Sequence, residues 1–366
     1  MLIVIPFLAK GQVRDTFIYK GQFSAWMNYN ITGDDLMAGG RYIPQINYSR
    51  EYPKSKLFDL ELTANAFGNW YSNTDADGDI KPYRAWLRYS SPQFELRGGL
   101  QKINFGSATM LRPLMWFDQM DPRDPLQLTD GVWGILGRYY FLNNANIWLW
   151  ALYGNNKAKG WEWAKTNSTY PEFGGRIQVP IPLGEAAFSY HHRVADLRET
   201  GMIVPDYSEA PENRFGIDAK LDWIVGFWVE GAWITNQKNI LLLTNQTLIN
   251  VGIDYTFGVG NGLLAVYEHL VVSSDLEPFE FKNTIDFSLL SLSYPIGLFD
   301  NFGAMVYYSW DAEKFYTFLN WQRNYNRISL NLMAYWNPET FDLPQQNFQN
   351  NFFGGKGVQF LFVFNH

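Results

Sequence analysis

Apolar and polar residues take alternate positions along most of this chain, the period of a strand with one greasy face and one wet one. In the plainest case Phe58, Leu60, Leu62 and Ala64 oppose Asp59, Glu61, Thr63 and Asn65. The same rule predicts strands over 19–30, 41–49, 83–89, 96–105, 132–141, 146–153 and 172–179. It continues over 186–193, 215–222, 227–234, 249–257 and 263–270, then 284–294, 302–310, 315–322, 327–336 and 358–364. The total is about eighteen, inside the even-numbered range of barrels built by bacteria.

Connection lengths carry a second pattern. Tight links such as 90–92, 142–144, 258–262 and 323–326 take turns with long ones at 71–82, 106–131, 154–171, 195–213 and 337–357. Both ends of the chain fall on the tight-turn side, as periplasmic termini require. A soluble propeller or sandwich has no reason to obey this parity. The expected fold is all-β: a transmembrane antiparallel up-and-down barrel of about eighteen strands with a long third extracellular loop. That loop, Gly106 to Gly131, contains Arg112-Pro113, Asp121-Pro122, Asp124-Pro125 and Asp130-Gly131, which stop helices and strands alike. A structureless excursion of this length implies a task, and folding back into the pore is the expected one.

Composition agrees. Aromatics make up 18% and charged residues only 18%, yet the mean hydropathy of -0.23 lies on the polar side. No run of roughly twenty apolar residues exists to form a spanning helix, so only a closed barrel could cross lipid. The apolar run Leu2 to Ala9 reads as a signal-peptide remnant over 1–11, leaving 12–366 for the barrel in a bacterial outer membrane. With 0 Cys there are no disulfides, thiolate metal sites or Cys nucleophiles, and a net charge of -7 argues against nucleic acid. No cofactor motif is present. The implied partners are outer-membrane lipids and lipopolysaccharide, small hydrophilic solutes, and envelope proteins.

The run Arg97-Gly98-Gly99-Leu100-Gln101-Lys102-Ile103-Asn104-Phe105-Gly106, with Leu111-Arg112-Pro113 and Asp130-Gly131 after it, resembles the strand-and-loop signature of outer-membrane porins related to the alginate-export family. The resemblance covers about a tenth of the chain and implies a monomeric channel of roughly eighteen strands for anionic or small solutes. The style of the sequence also resembles envelope proteins of Bacteroidota. The final strand, with alternate Phe360, Phe362 and Phe364, resembles the assembly signal of such barrels, although Asn365 and His366 extend past the usual terminal aromatic.

If apolar faces meet lipid, the lumen receives Arg84, Arg88, Glu95, Arg97, Arg138, Arg176 and Arg193 from the first half of the sheet, a predominantly basic arc. The later strands supply Asp218, Lys220, Asp222, Glu230, Asp254, Glu268 and Asp286, a mostly acidic one. Basic and acidic arcs facing each other would set a transverse field and sort solutes by charge. Solvation of the wall, or pairing among these charges, is the plainer alternative. Within the excursion Arg112, Asp118, Asp121, Arg123, Asp124 and Asp130 are the candidate constriction residues, with Trp116 and Phe117 as anchors. Asp75, Asp77 and Asp79 have the alternation of a calcium loop, but Arg84 stands where its closing Glu belongs. His191 and His192 are adjacent and so point to opposite faces. Trp148, Trp150, Trp228, Trp233, Trp310, Trp321 and Trp336 are expected in interfacial girdles, while Trp161 and Trp163 lie in a long loop.

A passive, charge-lined channel for small hydrophilic solutes is the function these features imply. A non-channel barrel serving as a structural or accessory subunit of a larger complex is the competing class. No elbow, zinc helix or phosphate loop supports an enzyme.

Overall fold

The computed structural model describes residues 14–200, 207–339 and 353–366. They form one 18-stranded antiparallel sheet, each strand beside its sequence neighbours, closed on itself. The strands of the first half are β1 (Arg14–Asn30), β2 (Asp35–Tyr52), β3 (Lys56–Tyr71), β4 (Asp77–Ser90), β5 (Phe94–Gln101), β6 (Val132–Tyr140), β7 (Asn146–Leu152), β8 (Glu172–Ile181) and β9 (Gly184–Asp196). The second half comprises β10 (Glu209–Asp222), β11 (Gly226–Asn236), β12 (Asn245–Phe257), β13 (Leu263–Asp275), β14 (Thr284–Ile296), β15 (Asp300–Ser309), β16 (Lys314–Asn324), β17 (Ile328–Trp336) and β18 (Lys356–Asn365). Every segment expected from alternation has its strand. The expected leader lies outside the described residues.

Closure joins β1 to β18, with Gln22 opposite Asn365 and Asn30 opposite Gly357. One residue further, Gly21 and His366 exchange both backbone hydrogen bonds at 3.0 Å. The His366 ring then stacks on Tyr42 at 5.9 Å and shares a hydrogen bond with its hydroxyl at 3.0 Å. His366 therefore occupies a place in the wall.

Connections 53–55, 91–93, 182–183, 223–225 and 325–327 lie on one side. The connections 102–131 and 153–171, and those that join β9 to β10 and β17 to β18, leave the sheet on the other. The link expected to be long at 71–82 shrinks to 72–76, because β3 and β4 run on past the residues that alternation marks.

Leu87, Ile135, Leu149, Ile217, Leu290, Leu332 and Phe360 point outward and are exposed. A continuous apolar band of this kind is the surface a bilayer requires. Trp233, Trp310 and Trp336 sit on this outer face as expected, but Trp148, Trp150 and Trp228 do not. Trp150 and Trp228 are buried inside the barrel, because part of the inner wall is dry. There the inward positions are apolar: Leu136, Leu152, Ala232, Ile234, Leu248, Leu270, Val272, Phe287 and Leu289. A wet lumen would not tolerate that stripe. Something must cover it.

Candidate pore constriction

The cover is the excursion between β5 and β6. β5 leaves the wall after Gln101, earlier than alternation suggests, and the chain from Lys102 turns inward. Ile103, Phe105, Leu111, Leu114, Trp116 and Phe117 then pack on the apolar stripe. The Phe105 ring stacks on Trp150 at 5.6 Å and meets Trp116 edge-on at 5.5 Å. On β10, Gly216 makes the room, since a Cβ there would collide with Leu114 and Trp116.

Two carboxylates hold the loop by its backbone. Glu230 of β11 accepts from Ala108 N at 2.9 Å and Leu114 N at 2.6 Å. Glu268 of β13 accepts from Thr109 N at 2.7 Å, Thr109 Oγ1 at 2.9 Å, Met110 N at 3.2 Å and Leu111 N at 2.5 Å. Both glutamates are 0% exposed. Successive amides curled around an anion satisfy the charge without any cation in contact. Gly106, at φ 105°, starts the curl, and a Cβ there would strike the Glu230 carboxylate. Beside them Ser107 Oγ donates to Asp218 Oδ2 at 3.0 Å.

The expected constriction residues divide by what they touch. Arg112 bonds Asp118 at 3.2 Å and the Phe105 carbonyl at 3.0 Å, while Trp161 Nε1 donates to the Arg112 carbonyl at 2.8 Å. Arg112 and Asp118 are buried inside the loop. Asp121 pairs with Arg123 at 2.7 Å. The Arg123 guanidinium reaches across to Phe318 (5.3 Å) on β16 and Phe353 (4.9 Å). Asp124 accepts from Leu126 N and Leu128 N at 2.9 and 3.2 Å. Burial pushes the Asp124 carboxyl up, against the pull of those amides and of Arg41. Burial acts on Asp130 in the same sense, but Lys81 at 2.7 Å, with Lys157 and Arg84, outweighs it and holds that carboxyl below its ordinary range. A cavity of ≈ 230 Å³ lies between Arg123, Asp124 and Gln127 of the loop and Ser293, Asn320 and Gln322 of the wall.

The arginines also divide. Arg84 donates to the Thr129 carbonyl at 2.8 Å and lies over the Tyr83 ring at 4.0 Å. Arg88, Arg97 and Arg138 converge on one carboxylate, Glu95, at 3.4, 3.1 and 3.4 Å, and Arg88 also pairs with Asp59 at 2.5 Å. Trp86 and Trp148 support this group, with Arg97 4.8 Å and Arg138 3.8 Å from their ring centres. Arg41, which the sequence reading passed over, lies between Trp26 and Phe67 at 5.3 and 5.6 Å.

Arg176 and Arg193 point inward but do not line a passage. Arg176 forks onto Asp218 at 2.5 and 2.9 Å beneath the loop. Arg193 forks onto Glu212 at 2.7 and 3.0 Å, and Glu212 with Glu162 also binds Arg214, each at 2.7 Å. Through Glu162 this buried network holds the connection 153–171 against the wall. His191 completes the layer, accepting from Trp150 Nε1 at 3.2 Å and facing Glu172 at 3.4 Å, whereas His192 points outward onto Phe173 at 5.1 Å. The expected opposition of basic and acidic arcs is thus corrected. Asp218, Glu230 and Glu268 are consumed by the loop and Arg176, Asp222 and Asp254 sit near the short turns, and Asp286 shares the outward side of β14 with Ser288 and Leu290. Alternation misassigned Asp286 because Phe287 and Leu289, being apolar, read as lipid-facing.

Asp77 and Asp79 belong to β4, so they cannot wrap an ion as a loop would, and no metal-holding cluster of three or more His, Asp or Glu occurs among the described residues. Trp161 and Trp163 pack within the connection 153–171, against the buried clusters below.

No protein-family model and no curated protein matches this sequence, so the likeness to alginate-export porins rests on its residue run alone. Among solved structures, Pseudomonas aeruginosa OccD3 (OpdP) superposes with a TM-score of 0.62 at 9% identity, over 95% of this chain and 91% of that one. Acinetobacter baumannii OccAB1 gives 0.58 at 8% identity, over 98% of each chain. With its closed sheet, its lipid-facing band and these neighbours, the chain folds as an integral outer-membrane β-barrel of the porin type.

Proposed function

We propose that this barrel is a porin through which small hydrophilic solutes diffuse, and that it favours anionic ones. The observation that carries the preference is the sharing of Glu95 by Arg88, Arg97 and Arg138, with Arg41 and Arg84 further along the same wall. Asp59, Glu61 and Glu95 offset the clustered three. Asp218, Glu230 and Glu268 are occupied by loop donors and a buried arginine, and Arg41 and Arg84 form no salt bridge among the described residues. Those two arginines supply the positive surplus of this reading, and such a wall concentrates anions. No acid–base pair stands free beside it among the described residues. Glu230 and Glu268 have their oxygens filled by loop donors, which leaves nothing to act on a substrate.

Reversal potentials across a salt gradient in planar bilayers test this reading. Wild type should select anions, and Arg41→Ala with Arg84→Ala and Arg97→Ala should move the potential toward cations. Cation selectivity of the wild type would overturn the preference. The competing class, a packed barrel acting as a scaffold, would give no solute flux in liposome swelling.

A further inference from the structure

We propose that the connections 237–244 and 276–283 form an apolar wedge that dips into the outer leaflet and binds lipid acyl chains. Both lie on the long-loop side, between β11 and β12 and between β13 and β14. Leu241, Leu242, Leu276, Phe279 and Phe281 are all exposed, on stretches that water would be expected to face. By contrast the connection 72–76 on the same side exposes Ser72, Asn73, Thr74 and Asp75.

The backbone presents these side chains at a cost. Leu241, Phe279 and Phe281 have φ of 61°, 59° and 51°, a region that large non-glycine residues avoid.

Continuity identifies the occupant as lipid. Tyr190, Phe215 and Trp233 are direct cross-strand neighbours on the outward face. Their rings follow one another at 5.3 and 5.2 Å, and Phe279 extends the row at 5.1 Å from Trp233. Connection 276–283 therefore folds out over the lipid-facing surface and away from the mouth of the lumen. Glu280 and Lys282 pair with each other at 2.5 Å beside the aromatic tip. An apolar element joined edge to edge with an interfacial girdle meets acyl chains next.

With 0 Cys in the chain, Leu242→Cys and Phe281→Cys each carry one environment-sensitive fluorophore on the full-length barrel folded into phospholipid vesicles. Asn73→Cys serves as the water-exposed control on the same side, and Leu290→Cys as the lipid-exposed one. Labels at 242 and 281 should be quenched by brominated acyl chains as strongly as at 290, and by iodide several-fold less than at 73. Quenching that follows Asn73→Cys would overturn the wedge. So would protection from both quenchers, which would mean that protein covers the patch.

Discussion

Glu268 and Glu230 make the sharpest prediction, because they hold the loop through main-chain amides that no side-chain substitution short of proline can remove. Replacing Glu268 by Ala orphans the amides of Thr109, Met110 and Leu111 in a buried setting. Each unsatisfied amide costs about 1–3 kcal/mol, so the loss is roughly 3–6 kcal/mol once some water enters. Adding Glu230→Ala frees the amides of Ala108 and Leu114. At tenfold per 1.4 kcal/mol, even the lower figure changes the docked-to-undocked ratio by about a hundredfold. The aromatic contacts of Phe105 and Trp116 remain, so residues 107–114 should fray while the base of the loop stays. Single-channel recording should show raised conductance with added open-channel noise in Glu268→Ala, and more of both in the double variant. Glu268→Gln should fall between, since its amide nitrogen must face a loop donor. Heat resistance of the barrel on gels serves as the control and should persist. If the double variant conducts like wild type, with the same noise, then this loop does not limit the passage.

Other perturbations probe the neighbouring layers. Gly216→Leu should displace Leu114 and Trp116 at a cost of about 1–3 kcal/mol and raise conductance without touching any charge, read in the same recordings. Glu162→Ala leaves Arg193 and Arg214 short of a buried partner and should cost about 3–5 kcal/mol, seen as a lower unfolding midpoint in urea. Asp124 gives a pH dependence. Its carboxyl titrates above its unfolded value because it is buried, so its contribution to loop stability is complete below the ordinary carboxylate pKa and is lost as pH rises through the raised value. Open-channel noise should grow on raising the pH through that window, and Asp124→Asn should abolish the change.

The architecture was legible because lipid enforces a two-residue period wherever a strand crosses it. Alternation located the strand over 58–65 as readily as the one over 358–364. It failed where the inner face was dry. On β14 the inward Phe287 and Leu289 mimicked lipid-facing residues, which put Asp286 on the wrong side. A usable signal was nevertheless present. Trp228, Ala232 and Ile234 flank Glu230 at inward positions, and Val266, Leu270 and Val272 flank Glu268 in the same way. A carboxylate set in an apolar inward stripe announces a covering element with donors for it. Partners far apart in the chain, such as Arg176 with Asp218 or Arg193 with Glu212, left no such local trace. Arg41 is legible by parity, standing on the same side of β2 as Gln45 and Asn47.

Because the mooring of segment 107–114 is made mostly by peptide groups, a letter on that segment that is neither buried nor bonded to the wall is at liberty. The side chain of Met110, which bonds neither glutamate and lines the cavity beside Arg123, could be exchanged to retune who passes, with the knot itself left tied. Lineages and engineers alike could then revise the filter one residue at a time, without first having to reinvent what keeps it in place.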